Sequence, residues 1–277
     1  MILKIIEGLK EATWTIYTMC SNISLNQKLA QVSTPKNNVI KSNKIKTKLK
    51  KDNLSIVSWN LFRNYDKKNI SKSFRTIIKK YDPDIILTQE DTKQKYFFYK
   101  SFNHFFAPFH QIRKKFQNKK LYNYSVSGQR IFSKYSFSKT SVFELPYTTR
   151  YVIPNHVLQR IVVYAQIKIN QKSIGIYNIH LENACGSNGR ASQMKEILKI
   201  INKNKDQIIF LGGDFNTWLG SFEECTKLLK QNNFKDVLKP QLIPGLDRFF
   251  TKNCKGASIR LRFPGSDHKP IYCKIHF

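Results

Sequence analysis

Polar side chains that can hold a ligand or transfer a proton recur where apolar runs of the chain end. Strand ends present side chains at a rim, where a cleft can form without burying unpaired charge in the core. The six places are Trp59-Asn60, Gln89-Glu90, His180, the cluster at 212–216, Asp247 and Ser266-Asp267-His268. A set of amide, carboxylate and imidazole groups in this order is hard to explain as turns alone.

Two of these places are more specific than the others. In GGDFN (212–216) the glycines allow a sharp turn, and Asp214 and Asn216 point to the same side of an extended chain. Asp267 and His268 form an acid/base pair just before the last predicted strand. A single aspartate after a strand is usually a turn or a helix cap, so the ordered set is more informative than any one member.

The elements that must position these groups follow from the apolar pattern. Runs rich in β-branched and aromatic residues predict strands, and apolar residues at helical spacing predict helices. The predicted strands are 54–60, 85–89, 130–132, 141–145, 160–169, 172–181, 207–211, 246–251, 258–263 and 271–277, and the predicted helices are 71–81, 189–203 and 222–229. Many strands with a few interspersed helices indicate an α/β fold of mixed sheets with helices on their faces.

The N-terminal part of the chain has a different composition. Residues 1–20 show helical spacing of apolar residues and predict an amphipathic helix that docks on the domain or lies on a membrane surface. Residues 21–53 are polar and Lys-rich and predict a solvated linker. Residues 54–277 then form the main domain, a size that suits one large sandwich.

The net charge indicates which class of molecule the protein binds, and the cysteines indicate its compartment. The chain of 277 residues has 48 Lys and Arg against 18 Asp and Glu, a net charge of +30, and residues 54–277 hold +23 of it. Such a charge points to polyanions such as nucleic acid or an acidic membrane surface, although a genome rich in A and T would give a similar composition. The five widely spaced cysteines suggest neither a zinc site nor a disulfide framework. With no apolar stretch typical of a signal peptide or a membrane span, a cytoplasmic monomer is the expectation.

The ordered motifs resemble the exonuclease/endonuclease/phosphatase superfamily, the metal-dependent phosphodiesterases that include DNase I. The matching segments are SIVSWNLFRN (55–64), DPDIILTQED (82–91), GQRIFSK (128–134), IYNIHLEN (176–183), FLGGDFNTW (210–218), LDRFF (246–250) and GSDHKP (265–270). They span nearly the whole main domain in family order. The resemblance implies a four-layer α/β sandwich, in which two mixed β-sheets pack face to face with helices outside and the active site lies at one rim.

The resemblance also implies a role for each polar position. Glu90 would be the main ligand of Mg²⁺, or of Mn²⁺ in its place, Asp267 would contribute on the metal side, and Asn60 would help to hold the metal or the phosphate. Asp214 would position or deprotonate the attacking water, and Asn216 would donate a hydrogen bond to a phosphate oxygen. His268 would contact the phosphate or act in acid/base transfer, and His180 would be a further catalytic residue. Asp247 would orient one of these two histidines, and the sequence leaves open which one.

The subfamily and substrate are less closely defined. A histidine at 180 is unlike the tyrosine motif of AP endonucleases and similar to DNase I, sphingomyelinases and bacterial hydrolases of the HLEN type. The nearby Glu182, Asn183, Arg190 and Gln193 are either part of that bacterial pattern or local caps of the helix at 189–203. We therefore expect a phosphodiester hydrolase without specificity for abasic sites.

A basic segment with aromatic neighbours points to nucleic acid as the substrate. Phe116 and Tyr122 lie among its basic residues, and such a mixture can grip a backbone and stack bases, although a merely solvated loop is an equal alternative. The basic residues are Arg113, Lys114, Lys115, Lys119 and Lys120. A Mg²⁺-dependent nuclease is the prediction, and a phospholipid phosphodiesterase or a non-catalytic nucleic-acid-binding protein are the alternatives.

Overall fold

The computed structural model describes most of the predicted main domain. The described residues are 40–42, 52–92, 95–108, 110–111, 127–146, 158–183, 185–218, 220–238 and 245–277. The predicted helix at 1–20, most of the predicted linker at 21–53 and the five basic residues between 113 and 120 lie outside this part of the chain.

Strands dominate the described residues, with three α-helices between them. The strands are β1 (Ile40–Ser42), β2 (Asn53–Asn60), β3 (Ile85–Asp91), β4 (Asn103–Pro108), β5 (His110–Gln111), β6 (Gly128–Ser133), β7 (Lys139–Glu144), β8 (Leu158–Gln159), β9 (Ile161–Ile169), β10 (Lys172–His180), β11 (Ile208–Asp214), β12 (Lys235–Asp236), β13 (Asp247–Lys252), β14 (Lys255–Arg260) and β15 (Ile271–His276). The helices are α1 (Lys67–Tyr81), α2 (Ser187–Asn204) and α3 (Glu224–Gln231). Single 3-10 turns lie at Phe62–Asn64, Phe97–Ser101 and Gly220–Phe222.

Thirteen of the described strands form two mixed sheets with a parallel pair inside each, and β5 and β8 pair separately with each other. One sheet has the order β1-β4-β6-β3-β2-β15-β14 and the other the order β12-β13-β11-β10-β9-β7. Strands β2 and β3 are parallel and joined through α1, while β10 and β11 are parallel and joined through α2. Each sheet therefore contains one strand–helix–strand unit whose two strands end at the same edge.

The two sheets pack face to face and the helices cover their outer faces, which confirms the predicted sandwich. Alternate residues of β9 show why both faces are apolar. Ile161, Val163 and Ala165 pack in the core between the sheets, while Val162 and Tyr164 pack with the apolar residues of α2 and α3. Helix α1 packs on the other outer face through a separate cluster. Strands buried on both sides read as continuous apolar runs rather than as alternating ones.

Buried hydrogen bonds of Asn178 connect the two sheets near the ends of β3 and β10. The amide of Asn178 on β10 accepts a hydrogen bond from Gln89 Nε2 of β3 at 2.7 Å. It donates to the backbone oxygens of Thr88 and Arg130 at 3.0 Å each. Because an unpaired amide would be costly here, the link favours one relative position of the two sheets.

The predicted elements are confirmed with small shifts, and three further differences stand out. Strand β4 was not predicted, and residues Ile40–Ser42 pair with it as an edge strand, so they belong to the sheet rather than to the predicted linker. Edge pairing needs backbone groups alone, which explains why a Lys-rich segment can supply it. The predicted strand 258–263 instead ends at Arg260.

No helix among the described residues is both long enough and apolar enough to cross a membrane.

Candidate active site

The strand register places the polar groups of the second sheet in one row. His180 at the end of β10 pairs with Asp214 at the end of β11, and Asp214 pairs with Asp247 at the start of β13. In the first sheet Asn60 at the end of β2 pairs with Gln89 of β3. Carboxyl ends of parallel strands are where α/β folds bind ligands.

A direct contact shows that the two edges meet. Asn60 Nδ2 of the first sheet donates to Asp214 Oδ2 of the second at 3.0 Å. The first sheet adds Glu90, whose Oε1 lies 4.0 Å from Nε2 of His180. The structure therefore brings Asn60, Glu90, His180 and Asp214 together at one rim, as the sequence predicts.

Asp214 lies at the centre of this site and is buried. Its Oδ2 is 3.5 Å from His180 Nε2 and 3.7 Å from His268 Nε2, in addition to the contact with Asn60. Burial, and to a smaller extent the Asp247 charge, raise the pKa of Asp214 to about 6 although the charge of His268 opposes them. A carboxyl group with such a pKa can accept a proton near neutral pH.

The structure answers which histidine Asp247 orients. Asp247 Oδ2 lies 2.8 Å from His268 Nδ1, so the pair is Asp247–His268. Burial opposes the charge on His268, but Asp247 and then Asp214 outweigh it and hold the pKa of this imidazole well above its usual value. His268 is therefore an imidazolium near neutral pH, with its Nε2 directed towards Asp214.

The loop that carries His268 is fixed by hydrogen bonds to β2. Trp59 Nε1 donates to the backbone oxygen of His268 at 2.9 Å. Ser266 Oγ donates to the backbone oxygen of Asn60 at 2.7 Å and accepts from the backbone N–H of His268 at 3.1 Å. The first sheet thus fixes the position of His268, whose Nε2 faces Asp214 of the second sheet.

Asn216 follows Asp214 and stabilises the loop after β11. Its backbone N–H donates to Asp214 Oδ1 at 2.9 Å, and its Nδ2 donates to the backbone oxygen of Leu181 at 2.9 Å. An amide nitrogen has two hydrogens, so one remains for the phosphate oxygen that the sequence analysis assigns to it. That role stays a prediction.

The metal-binding prediction fits the oxygen donors of the first sheet. The Glu90 side chain is 21% exposed, and Asp267 is exposed on the neighbouring loop. Asn60 Oδ1 accepts from the backbone N–H of Phe62 at 3.1 Å, which orients the amide. Carboxylate and amide oxygens are the ligands that hard divalent cations prefer.

A second group of possible metal ligands contains the Asp247–His268 pair. Ligand atoms of Asp214, Asp247 and His268 all lie within 4.8 Å of one another. Because Nδ1 of His268 contacts Asp247, Nε2 is the atom that this imidazole could offer to a metal. Asp247 Oδ1 is buried and has no hydrogen-bond partner among the described residues, so this carboxylate retains capacity to bind a water molecule or a cation.

Sequence reasoning missed Arg160, a buried arginine beside the site. Its Nε lies 3.2 Å from Glu182 Oε2, and its charge also interacts favourably with Glu90 and Asp214. Burial opposes the charge, but these carboxylates together hold the pKa of Arg160 above its usual value. The partners are far apart in sequence, so no local pattern could have shown the pair.

The capping interpretation of the residues after His180 is wrong. Helix α2 begins after Gly186, which makes no side-chain cap. Arg190 forms a buried ion pair with Glu223, with Nη2 and Oε1 2.7 Å apart. Gln193 Oε1 accepts from the backbone N–H of Glu182, and Asn183 Oδ1 accepts from Trp218 Nε1. These residues hold the loops behind the site in place.

Unusual backbone conformations cluster where the site strands end. Phe62 (φ 45°), Asn64 (φ 55°), Glu90 (φ 52°) and Asn216 (φ 49°) all have left-handed conformations. Such conformations cost about 1–3 kcal/mol each in residues other than glycine and concentrate at functional sites. At Glu90 the conformation accompanies a break of the strand register between Thr88 and Asp91.

The fold and the site define a class of protein. Carboxylates, amides and an Asp–His pair at one rim of the sandwich provide the proton-transfer and hydrogen-bonding groups that phosphoester hydrolysis needs. The model of the Endonuclease/Exonuclease/phosphatase family matches residues 57–268, and the chain belongs to this family. It is therefore an enzyme that hydrolyses phosphate esters.

Solved structures similar to this chain support the fold. The human Nocturnin catalytic domain is 14% identical with a TM-score of 0.61, and covers 89% of this chain and 100% of its own. A family member from Bacteroides vulgatus is 16% identical with a TM-score of 0.59, covering 82% and 99%. D. rerio TDP2 complexed with single strand DNA product is 18% identical with a TM-score of 0.51, covering 82% and 100%. No curated protein matches the chain.

Proposed function

We propose that the protein is a Mg²⁺-dependent nuclease that hydrolyses phosphodiester bonds of DNA or RNA. The observation that carries this proposal is the position of Asp214, whose Oδ2 contacts Asn60 and faces both His180 and His268. Phosphodiester hydrolysis needs a base for water, an acid for the leaving oxygen and positive charge for the phosphate. Residues suited to each task meet here.

The proton transfers follow from the two shifted pKa values. Asp214, with a pKa of about 6, accepts a proton from water as the water oxygen bonds to phosphorus. The His268 imidazolium, held by Asp247, donates a proton to the leaving oxygen as the phosphorus–oxygen bond breaks. A proton then passes from Asp214 to His268 and restores both groups, which lie 3.7 Å apart.

Glu90, Asn60 and Asp267 would hold the metal in this scheme. Mg²⁺ supplies charge neutralisation of the phosphate when it is bound. The other groups that would act in this scheme are an N–H group and a positive charge of protein side chains. The second N–H of Asn216 is available to orient a phosphate oxygen, and the charge of Arg160 offsets the carboxylates of Glu90 and Asp214.

Net charge supports nucleic acid as the substrate class. Residues 54–277 carry 38 Lys and Arg against 15 Asp and Glu. Four of those acids, Glu90, Asp214, Asp247 and Asp267, belong to the candidate site, so the rest of the domain is even more basic. Each phosphate that a basic residue neutralises adds affinity through counterion release. The similar D. rerio TDP2 structure contains a DNA product, which agrees with this assignment.

The test is nicking of supercoiled plasmid with Mg²⁺, with and without EDTA. Wild type should nick in Mg²⁺ alone, and Asp214→Asn should not. Asp206→Asn is a matched control, because Asp206 is also buried and hydrogen-bonded but lies just before β11, at the opposite end of that strand from Asp214. The control should lose stability and keep its activity at temperatures where it is folded.

Two results would contradict the nuclease assignment. Release of phosphocholine from sphingomyelin without any nicking would favour the lipid phosphodiesterase. Tight, salt-sensitive DNA binding without hydrolysis of any phosphoester would favour a non-catalytic binding protein.

A further inference from the structure

Three aromatic side chains are well exposed in the part of the chain that the structure describes. Tyr65 is 84% exposed, Phe222 is 76% exposed and Phe97 is 44% exposed. Tyr65 and Phe222 are related by position. Each follows a strand that ends in a site residue, and each lies in or directly after a 3-10 turn.

Tyr65 lies on the first-sheet side of the site. It comes five residues after Asn60, directly after the turn Phe62–Asn64, and its ring centroid is 5.8 Å from that of Phe62. The turn is anchored on both sides. Asn60 Oδ1 accepts from the backbone N–H of Phe62, and Asn64 Oδ1 accepts from the backbone N–H of Thr92. Because a 3-10 turn rises only about 2 Å per residue, the five residues from Asn60 to Tyr65 span a short distance.

Phe222 lies on the second-sheet side. It comes six residues after Asn216, at the end of the turn Gly220–Phe222. The turn is anchored through Thr226 Oγ1, which donates to the backbone oxygen of Gly220 at 3.1 Å. The following Glu223 is fixed by its buried ion pair with Arg190. Both rings are therefore held on ordered turns, and each turn follows a strand that ends in a site residue.

We infer that Tyr65 and Phe222 form stacking surfaces for nucleobases on the two sides of the scissile phosphate, so that the enzyme prefers single-stranded nucleic acid. The inference rests on the proposed nuclease function and adds the form of the substrate. An aromatic ring stacks on any base, because every base has a π-face. In a duplex the base faces are already covered by neighbouring bases. The net charge of +30 complements a polynucleotide backbone between the two rings.

Phe97 provides a matched control for the two rings. It is also an exposed aromatic residue, but the guanidinium of Arg75 lies 4.6 Å from its ring centroid and covers one face. A Phe97→Ala variant therefore loses an aromatic ring of similar size without loss of a ring that is open for stacking. It should bind and cleave nucleic acid as wild type does.

The experiment measures binding and cleavage of fluorescein-labelled oligodeoxythymidine at fixed salt. Fluorescence anisotropy in EDTA gives the Kd without cleavage, and kcat/KM is measured in Mg²⁺. Tyr65→Ala and Phe222→Ala should each weaken binding by about 5- to 150-fold, the range expected for loss of one stacked base. The same variants should bind a duplex, and an abasic oligomer of equal length, with wild-type affinity.

The outcomes separate this inference from the proposed function. If wild type neither binds nor cleaves oligonucleotides, the nuclease assignment fails. If wild type cleaves them and both variants behave like Phe97→Ala, the nuclease stands and the stacking surfaces are refuted. Loss of binding to phosphatidylserine vesicles in both variants, with unchanged oligonucleotide binding, would also overturn the inference, because the rings would then contact a membrane surface.

Discussion

The unit β2–α1–β3 in the first sheet and the unit β10–α2–β11 in the second share one topology and present different groups to the rim. The first unit ends in Asn60 and Glu90, and the second ends in His180 and Asp214. The register is regular in the second unit as far as the pair His180–Asp214. In the first unit Glu90 lies on β3 where the pairing of that strand with β6 breaks.

The two carboxylates also differ in burial. The Glu90 side chain, next to the bulge, is 21% exposed, whereas the Asp214 side chain, in the regular row, is 2% exposed. A partly exposed carboxylate can bind a hydrated cation, because such ions keep several water ligands. A buried carboxylate has a raised pKa and suits proton transfer. In the proposed function, one topology used twice thus gives a cation side and a proton-transfer side.

Asp214→Asn should give the largest effect and tests the proton-transfer side. The amide keeps the shape and the contact with Asn60 but cannot accept a proton from water. We expect kcat to fall by about 10²–10⁴-fold, the usual contribution of a general base. The Mg²⁺ concentration at half-maximal binding, measured by calorimetry, should stay within a few-fold of wild type. A large loss of Mg²⁺ affinity instead would remove the distinction between the two sides.

Glu90→Gln should give the next largest effect, and this effect should be on the Mg²⁺ affinity instead of on kcat. The side chain keeps its size but loses the charge that would attract the cation. We expect the half-saturating Mg²⁺ concentration to rise by at least about 10–100-fold, since even groups that only support a metal ligand contribute this much. Activity should be partly restored by excess Mg²⁺ or Mn²⁺. The exposed Glu196→Gln is the control, and failure of excess metal to restore any activity would argue against Glu90 as a ligand.

The sequence predicts the parts of this division that depend on local patterns. It does not predict contacts between residues that are far apart in the chain. Asn60, His180 and Asp214 were predictable because each follows an apolar strand, and strand ends meet at one rim. The partner of Asp247 was not predictable, because His180 and His268 are equally compatible with the sequence and the fold alone decides. The Arg160–Glu182 pair and the Asn178 link between the sheets have no local signal, since their partners come from distant parts of the chain.

Asp247→Asn should shift the pH profile of kcat by a smaller but diagnostic amount. In wild type activity should fall as the pH drops through about 6, where Asp214 gains a proton. It should fall again only at high pH, because Asp247 and Asp214 together keep the pKa of His268 well above its usual value. The variant removes one supporting charge, so the alkaline limb should move to lower pH. An unchanged alkaline limb would show that His268 is not the acid.

The smallest predicted effect is on the free energy of unfolding. Its pH dependence differs in sign between a residue of the first sheet and a residue of the second. His104 on β4 of the first sheet is buried, and burial together with the charge of Arg130 lowers its pKa to about 4. Its Nε2 lies 2.5 Å from the Tyr99 hydroxyl. Between pH 6.5 and 4 the unfolded chain binds a proton at this position and the folded chain does not, so stability is lost as the pH falls through that window. The raised pKa of Asp214 acts with the opposite sign, because the folded chain binds the proton first.

His104→Gln removes the titration and keeps a hydrogen-bonding partner for Tyr99. Urea unfolding of wild type should show a loss of about 2 kcal/mol between pH 6.5 and 4 that the variant lacks. Asp214→Asn, measured alongside, should lose more stability with acidification than wild type does, because it lacks the compensating proton uptake. If both variants followed the wild-type curve, acid stability would not depend on these two buried groups, and the electrostatic contrast between the sheets would be confined to the site.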